Sequence, residues 1–548
     1  MSTAPAVPEP MPSADRRHVL LVFAGLMVAM LLASLDQMIF GTALPTIVGE
    51  LNGVDHMLWV TTAYILASTI VLPVYGKLGD QIGRKDLFIF AIAVFILGSV
   101  IGGMADGMTW LIIGRTVQGL GGGGLMVLAM AIIADVVPAR ERGRYMGIMG
   151  GVFALSSVAG PLLGGWFTDS IGWRWAFWMN IPLGILAIAS AAAFLHLPKP
   201  ARGRLDLDIA GMLLIAVAST CVVLTATWGG STYAWASPVI IGLVAGALAS
   251  ITAFFMVERR AAEPIMPPSL FRERNFTLTT GAGLIIGTAM FGAMAYMPTY
   301  LQMVTGANAT QAGLLMIPMM FGLLVTSIGS GQLVSRTGRY KWLPIVGTLI
   351  AALSLFLLST MTPSLAVPSI CGYLMVLGIG LGMGMQILVL IVQNTFPIEQ
   401  VGTATAANNY FRQIGASLGS AIVGSLFVAR LADNLSSTLP ASDGAGSSNS
   451  FTPASVHLLP EAVQAVIVNA YNDALTPVFL FMVPIVLIAV VLLCFIHEKP
   501  LSTTIERDVL PESLEIDGMT NVRLHYPLNE DGQEDAEAPS GLSSGGPS

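Results

Sequence analysis

The sequence contains very little charge. Only 10% of its 548 residues are Asp, Glu, Lys or Arg, while 54% are hydrophobic, and a typical soluble domain is about 25% charged. A soluble protein needs a largely polar surface, so this composition excludes a water-soluble enzyme, a nucleic-acid-binding protein and a disordered chain. Lipid must therefore be the solvent for most of the chain.

Cysteine and histidine are also scarce. The three cysteines, Cys221, Cys371 and Cys494, lie inside apolar runs, at spacings that fit neither a disulfide framework nor a metal site. The six histidines lie at the ends of such runs, in loops or in the C-terminal tail, which argues against a membrane redox enzyme. No Gly-Lys-Ser/Thr follows the glycines at 121–124, so the nucleotide-binding loop of an ATP-driven pump is missing. We therefore expect a protein that is not an enzyme and has no cofactor or metal.

Long apolar runs dominate the sequence instead. A membrane-spanning helix needs about 20 mostly apolar residues, and none of the runs shows the alternation of a barrel strand. Fourteen runs qualify: 18–40, 56–76, 87–105, 109–133, 144–167, 174–195, 208–228, 237–257, 277–301, 311–334, 342–360, 368–393, 404–429 and 476–496. The predicted fold is an all-α membrane protein with 14 transmembrane helices.

The distribution of basic residues predicts the orientation. With the N-terminus inside, the cytoplasmic loops and termini receive 21 of the 25 Lys and Arg residues. Only Arg174 and Arg430 fall on the other side, and Arg115 and Arg412 lie within spans. Positive residues collect on the cytoplasmic side of membrane proteins. The sequence therefore predicts a multi-pass protein of the cytoplasmic membrane with both termini in the cytoplasm.

Two loops repeat one pattern. Gly76-Lys-Leu-Gly-Asp80-Gln-Ile-Gly83-Arg84 follows the second span, and Gly331-Gln-Leu-Val-Ser335-Arg-Thr-Gly338-Arg339 follows the tenth. Paired halves of this kind are typical of secondary transporters. The predicted organisation is an N-terminal tail (1–17), a six-helix bundle (18–200), two inserted helices (201–262), a second six-helix bundle (263–500) with an outside loop (431–475), and a disordered cytoplasmic tail (501–548). Within that loop, Pro460–Leu475 has the spacing of a helix on the membrane surface.

Several motifs carry a resemblance to a known family. The Gly76–Arg84 loop resembles the signature loop of the major facilitator superfamily, and the count of fourteen spans resembles its drug:proton antiporter branch. Further similar motifs are Leu35-Asp36 through Pro45, Gly114-Arg115 through Gly119, Gly147 through Gly165 with Ser156 where Gly is usual, Gly172-Trp173-Arg174-Trp175 through Pro182, and Arg412-Gln413-x-Gly415. The resemblance implies the major facilitator fold, with two pseudo-twofold halves around a central cavity.

Asp36 and Arg115 are the candidate proton-coupling residues. Asp36 is an acid in the middle of a span, where a carboxylate costs about 2.5–3.5 kcal/mol on insertion scales and usually faces an internal cavity. Arg115 is a permanent cation within the fourth span. The resemblance ties both positions to proton transfer. The alternative interpretations are a structural acid that is hydrogen-bonded to backbone and an arginine that serves as a packing hub.

The resemblance also implies a conformational latch and an antiporter motif. In the latch, Gly76 and Gly83 allow tight approach, Arg84 pairs with Asp135, and Asp80 faces a helix N-terminus of the other half. The alternative interpretation of these loop residues is plain positive-inside topology.

In the antiporter motif, small residues let another helix approach closely and Pro161 can bend the helix. Its members are Gly147, Gly160, Pro161, Gly164 and Gly165, for which ordinary helix packing is the alternative.

A further set of side chains is predicted to line the substrate cavity. Flexible Met side chains suit a pocket that repacks around different apolar guests, and several aromatic and amide side chains are predicted to join them. The candidates are Met38, Phe40, Gln118, Met126, Tyr296, Tyr300, Met316, Met385, Gln386, Asn408, Asn409 and Arg412.

The sequence thus predicts proton-coupled export of amphiphilic small molecules by alternating access. The expected partners are the substrate, protons and the lipid bilayer, with no nucleic acid, and we expect a monomer driven by the proton gradient. A dedicated exporter of one endogenous metabolite, antibiotic, siderophore or lipid would share every motif and is the alternative. A membrane-embedded enzyme or receptor would need a catalytic constellation or a signalling domain, and neither is recognisable.

Overall fold

A computed structural model describes residues 16–51, 56–197, 208–230, 232–438 and 460–502. The helices are α1 (Arg16–Glu50), α2 (Met57–Ile82), α3 (Arg84–Gly103), α4 (Met108–Val136), α5 (Ala139–Trp166), α6 (Trp175–Trp178), α7 (Asn180–Phe194), α8 (Ile209–Trp228), α9 (Pro238–Glu258), α10 (Arg274–Thr305), α11 (Ala309–Leu315), α12 (Ile317–Thr337), α13 (Trp342–Ser359), α14 (Val367–Gln393), α15 (Val401–Thr438) and α16 (Glu461–Cys494). Most of the predicted N-terminal tail, through residue 15, and the predicted disordered tail from residue 503 lie outside the described residues.

The predicted all-α fold with 14 spans is confirmed. Fourteen helical segments of the described chain are long and apolar enough to cross a membrane, with α6–α7 forming one segment and α11–α12 another. Several helices extend beyond their apolar runs: α1 continues to Glu50, and α15 continues to Thr438. Hydropathy marks only the part of a helix that lies in hydrocarbon, so these polar extensions are not visible to it.

The interpretation of Pro460–Leu475 as a surface helix is wrong. Helix α16 runs without a break from Glu461 to Cys494, so this segment is the beginning of the last span. Its apolar face is used for packing: Ile467 and Leu475 are buried, and the Tyr471 ring lies 5.3 Å from the Phe427 ring of α15. The predicted 431–475 loop is correspondingly shorter, and its central part lies outside the described residues.

Buried apolar side chains form two large groups. One consists mainly of side chains from α1–α5 and α7, with Val389 of α14, and the other consists mainly of side chains from α10–α16, with Ala139 and Ala154 of α5. The groups meet along two seams, α2 against α15 and α5 against α12. The exact boundaries of the predicted domains stay a prediction. We call the end of the bundle that holds residues 83–84, 138–144, 259–274 and 336–341 the basic end, because Lys and Arg collect there.

Helices α8 and α9 lie beside the α2–α15 seam. On one side, the hydroxyls of Ser219 (α8) and Tyr410 (α15) lie 2.8 Å apart. On the other, the rings of Trp59 (α2) and Trp228 (α8) meet edge to face at 5.7 Å. Helix α8 is therefore attached to both groups of helices.

The segment that follows α9 is attached to the basic end. The Lys77 ammonium of α2 donates to the Glu263 carboxylate at 2.6 Å. This hydrogen bond and the charge of Lys77 hold the pKa of the Glu263 carboxyl below its ordinary value. The connection between α9 and α10 is thereby tied to the helix that carries the signature loop.

Candidate functional site

A central cavity of about 280 Å³ lies between the two groups of helices. Its walls come from α1, α2, α4 and α5 on one side and from α10, α12, α14 and α15 on the other. Six of the predicted cavity residues line it: Met38, Phe40, Met126, Met385, Gln386 and Arg412. Further methionines, Met30, Met130, Met149 and Met290, complete a largely apolar wall. The described lining contains no Asp or Glu side chain.

Gln118, Asn408 and Asn409 do not line the cavity, although they were expected to. Gln118 is fully buried behind the cavity wall. The Asn408 amide donates to the Thr280 hydroxyl at 3.1 Å, and the Asn409 amide donates to the Thr405 carbonyl at 2.9 Å. Each polar side chain is turned toward a partner on its own or a neighbouring helix, since a buried amide without a partner is costly.

Tyr296, Tyr300 and Met316 also lie away from the cavity. The Tyr300 hydroxyl donates to the Asn472 side-chain oxygen of α16 at 2.8 Å, and the Tyr296 hydroxyl donates to the Ser420 carbonyl at 3.4 Å. Met316 is buried in the apolar core of the second group of helices. These three predictions are wrong because the side chains serve packing within one group of helices.

Asp36 lies at the centre of a buried polar cluster. Its carboxylate accepts a short hydrogen bond from Arg115, and it accepts from Gln118 at 2.9 Å and from Asn180 at 2.8 Å. The Ser99 hydroxyl accepts from Gln118 at 2.8 Å. Asp36, Arg115, Gln118 and Asn180 are each at most 1% exposed, so the ionic pair is held by a nearly complete shell of donors.

This geometry corrects the expectation that Asp36 faces the cavity. The Arg115 guanidinium lies between the rings of Phe40 and Tyr64, 4.1 and 4.4 Å from their centres. Arg115, Phe40 and Tyr64 line the cavity, whereas Asp36 does not. In this conformation the arginine and two rings therefore separate the carboxylate from the cavity.

Asn180 and Ser99 were missed as members of the cluster. Asn180 belongs to the Asn-x-Pro motif that the sequence displays at 180–182, which was the available signal. Ser99 lies in an ordinary apolar run with no signal of its own. Arg115 and Gln118 are one helical turn apart on α4, and this spacing explains why both reach the same carboxylate.

The predicted latch contacts are present at the basic end. Arg84 donates to Asp135 at 2.5 Å and to Asp80 at 2.6 Å. Asp80 also accepts from the backbone N–H groups of Gly402 at 3.2 Å and Thr403 at 2.7 Å, and from the Thr403 hydroxyl at 2.8 Å. The acid thus caps the first turn of α15, where the helix dipole favours a negative charge.

The two latch glycines serve different needs. Gly83 has φ 105°, a backbone conformation that side chains disfavour. Gly76 faces Ala406 and the Gly402 carbonyl of α15, and a Cβ there would lie 2.8 Å from that oxygen. The glycines therefore allow the turn and the close approach of α2 to α15, while the conformational role of the latch stays a prediction.

The antiporter motif contacts two different helices. Gly147 faces the Ser327 carbonyl of α12, and the Ser327 hydroxyl donates to the Gly147 carbonyl at 3.1 Å. Gly160 and Gly164 face α1, where a Cβ would collide with Met38 or with Thr42. Pro161 accepts weakly from Thr42.

Gly165 differs from the other motif glycines. Nothing lies within 4 Å of a Cβ placed on it, so the expected close helix approach is absent there. Ser156, at the position where Gly is usual, donates to the Val152 carbonyl of its own helix at 2.9 Å. The close packing of the motif therefore depends on Gly147, Gly160 and Gly164.

Most of the direct hydrogen bonds described between the two groups of helices lie near the basic end. Besides the latch, the Gln393 amide donates to the Met130 carbonyl at 3.1 Å, and the Arg84 guanidinium donates to the Ile398 carbonyl at 2.9 Å. On the α5–α12 seam, the Arg144 backbone N–H donates to the Ser335 hydroxyl at 3.2 Å. The cavity is therefore closed toward the basic end in this conformation.

Two groups of spanning helices around a closed-ended central cavity define a membrane transporter. The chain belongs to the major facilitator superfamily, whose family model matches residues 26–420. It is 44% identical over 501 residues to an uncharacterized MFS-type transporter of Mycobacterium tuberculosis, covering 90% of this chain and 71% of that one. It is 38% identical over 419 residues to the multidrug transporter protein MdtP of Bacillus subtilis, covering 76% of this chain and 77% of that one.

Solved structures agree with this fold. The proton:xylose symporter XylE superposes with a TM-score of 0.58 at 14% sequence identity, covering 89% of this chain and 98% of that one. The protein is thus a multi-pass membrane transporter, not an enzyme, and relatives of it are named a multidrug transporter and a multidrug resistance protein.

Proposed function

We propose that this protein exports amphiphilic small molecules in exchange for protons across the cytoplasmic membrane. The basic end faces the cytoplasm in this proposal, with both termini on that side, so the structure corresponds to a conformation closed to the cytoplasm. The observation that carries the proposal is the buried Asp36–Arg115 pair, in which Arg115 lines the central cavity and Asp36 lies directly behind it.

Protonation of Asp36 would couple the two processes. A neutral Asp36 no longer balances the charge of Arg115, and the guanidinium then gains by turning toward water or substrate in the cavity. Movement of Arg115 from between Phe40 and Tyr64 would open a path between the carboxyl and the cavity. Because the proton and the substrate would favour different positions of Arg115, each can bias the access equilibrium against the other.

The cavity wall supports amphiphilic substrates. Methionine and other apolar side chains form most of the wall, and such a surface can adapt to guests of different shape. This favours broad export over a dedicated exporter of one metabolite, which would place more fixed hydrogen-bonding groups around the cavity. In this proposal the proton gradient is the energy source, no cofactor is needed, and the monomer is sufficient.

The Asp36→Asn variant tests the coupling. Asn has nearly the same shape but cannot take up a proton, so we expect substrate binding to persist and proton movement driven by substrate to fall to background. The measurement uses proteoliposomes that contain a pH-sensitive dye, with rhodamine B as the transported probe. Asp106→Asn, at an exposed acid of the opposite end, is the matched control and should behave as wild type. Wild-type proton movement by Asp36→Asn would refute the proposed coupling residue.

A further inference from the structure

The charges around the cavity do not balance. Arg115 is neutralised by Asp36. Arg412 of α15 also lines the cavity, and its one hydrogen bond in the described structure is a donation to the Asn409 side-chain oxygen at 2.6 Å. No ion pair joins Arg412 to an acid among the described residues, and the described cavity wall contains no carboxylate. The cavity therefore holds one cation without a counter-charge.

The surroundings of Arg412 fix its position. The Asn409 amide donates to the Thr405 carbonyl at 2.9 Å, and this bond leaves the Asn409 oxygen free to accept from Arg412. A guanidinium has several N–H donors in one plane and suits an anion that accepts two parallel hydrogen bonds. Here Arg412 uses one donor on a neutral oxygen, so donors remain available toward the cavity.

Neighbouring groups could complete an anion site. Gln386 and Gln413 line the same cavity, and each carries an amide that can donate. A charge inside a membrane protein is expensive unless it is paired, and a ligand can supply the missing pair.

We propose that the cavity selects amphiphiles that carry a carboxylate, with the carboxylate paired to Arg412 and the apolar part against the methionine wall. This inference rests on the proposed function and specifies its substrate class. Amphiphiles with a permanent positive charge and no anionic group bind more weakly, because the cavity offers them no acid and presents a cation.

A matched pair of dyes tests the selection. Rhodamine B carries a carboxylate, and its ethyl ester has the same aromatic body with that charge removed. Binding to the purified full-length protein in nanodiscs is measured by fluorescence polarisation, at low and at physiological salt. We expect the wild type to bind rhodamine B at least about tenfold more tightly than the ester, as a bidentate charge-assisted contact predicts.

Variants of one residue separate charge recognition from packing. We expect Arg412→Gln to weaken rhodamine B binding about tenfold or more and to leave ester binding within about twofold. Arg412→Lys keeps the charge and should recover part of the affinity for rhodamine B alone. Arg430→Gln is the matched control, since Arg430 lies on the same helix but stacks 5.6 Å from the Phe481 ring, away from the cavity lining.

The outcomes distinguish this inference from the proposed function. Equal binding of the two dyes by wild type, or an equal effect of Arg412→Gln on both, would overturn carboxylate selection even if proton-driven export is observed. Arg412-dependent binding of rhodamine B without export in proteoliposomes would support the carboxylate site and refute the exporter. Failure of Arg412→Lys to discriminate between the dyes would also overturn the charge-based argument.

Discussion

Replacement of Asp80 should increase the population of molecules in which the cavity is open at the basic end. This carboxylate accepts three hydrogen bonds from the first turn of α15, at 2.7–3.2 Å, and its side chain is 6% exposed. Helices α2 and α15 belong to different groups of helices, so we expect these bonds to exist only while the basic end is closed. Asp80→Ala removes them, whereas Arg84 keeps its contacts to Asp135 and Ile398.

The size of the effect follows from the number and kind of these bonds. A hydrogen bond to a charged group contributes about 1.5–3 kcal/mol. The freed N–H groups of Gly402 and Thr403 can be hydrated, so we take about 3 kcal/mol for the set rather than the full sum. Since 1.4 kcal/mol is a factor of ten, the open population should rise by about 100-fold. Asp80→Asn keeps an acceptor oxygen without the charge, and we expect about tenfold.

Cysteine labelling from the basic end measures this population. Cys221, Cys371 and Cys494 are replaced first, and Ser330→Cys is introduced as a reporter. Ser330 is 5% exposed, on α12, so a membrane-impermeant maleimide should react slowly in the closed form. The labelling rate should increase in the order wild type, Asp80→Asn, Asp80→Ala, by the factors given above.

Glu399→Gln is the control, because Glu399 is an exposed acid of the same end without a side-chain hydrogen bond in the described structure. If Asp80→Ala labels at the wild-type rate while all variants fold and insert equally, the carboxylate does not hold the basic end closed. An equal acceleration by Glu399→Gln would assign the effect to net charge rather than to the cap on α15.

Two further predictions concern contacts between helices. Gly331→Val should lower the melting temperature and the export rate, because a Cβ on Gly331 would collide with the Gly143 carbonyl of α5. Gly329→Val is the control: a Cβ on Gly329 has open space around it, so this variant should be near wild type in both assays. Tyr410→Phe removes the hydrogen bond to Ser219 and should cost about 1 kcal/mol of stability. A double-mutant cycle with Ser219→Ala would contradict this contact if the two effects were additive.

The membrane spans could be predicted from the sequence, because an apolar run of this length can satisfy its backbone hydrogen bonds in lipid only as a helix. The ends of the helices could not be predicted, as α1 and α16 show. Where a helix continues beyond the hydrocarbon, its extent depends on the helices it packs against, and a local sequence pattern does not identify those helices. Pro460–Leu475 has the periodicity of an amphipathic surface helix, and the same periodicity serves equally for contact with α15.

The candidate site was predicted in part, and the errors share one cause. Met38, Met126 and Arg412 line the cavity, but Tyr300 lies on the far side of its helix against Asn472. Residue type indicates that a side chain can contact a ligand, while the rotation of each helix about its axis decides whether it does. Gln118 illustrates this, because its polar amide lies near the middle of the bundle but donates to the buried Asp36 carboxylate instead of facing the cavity.

The attachment of α8 makes the two flanks of the transporter, the α2–α15 side and the α5–α12 side, mechanically unequal. Ser219 and Trp228 bind this helix to both sides of the α2–α15 seam, whereas the outer faces of α5 and α12 expose side chains such as Leu162 and Phe321. Relative rotation of the halves must strain or break a contact of α8 on the first flank. We therefore expect the two halves to separate unequally, with the larger gap opening on the flank that lacks α8.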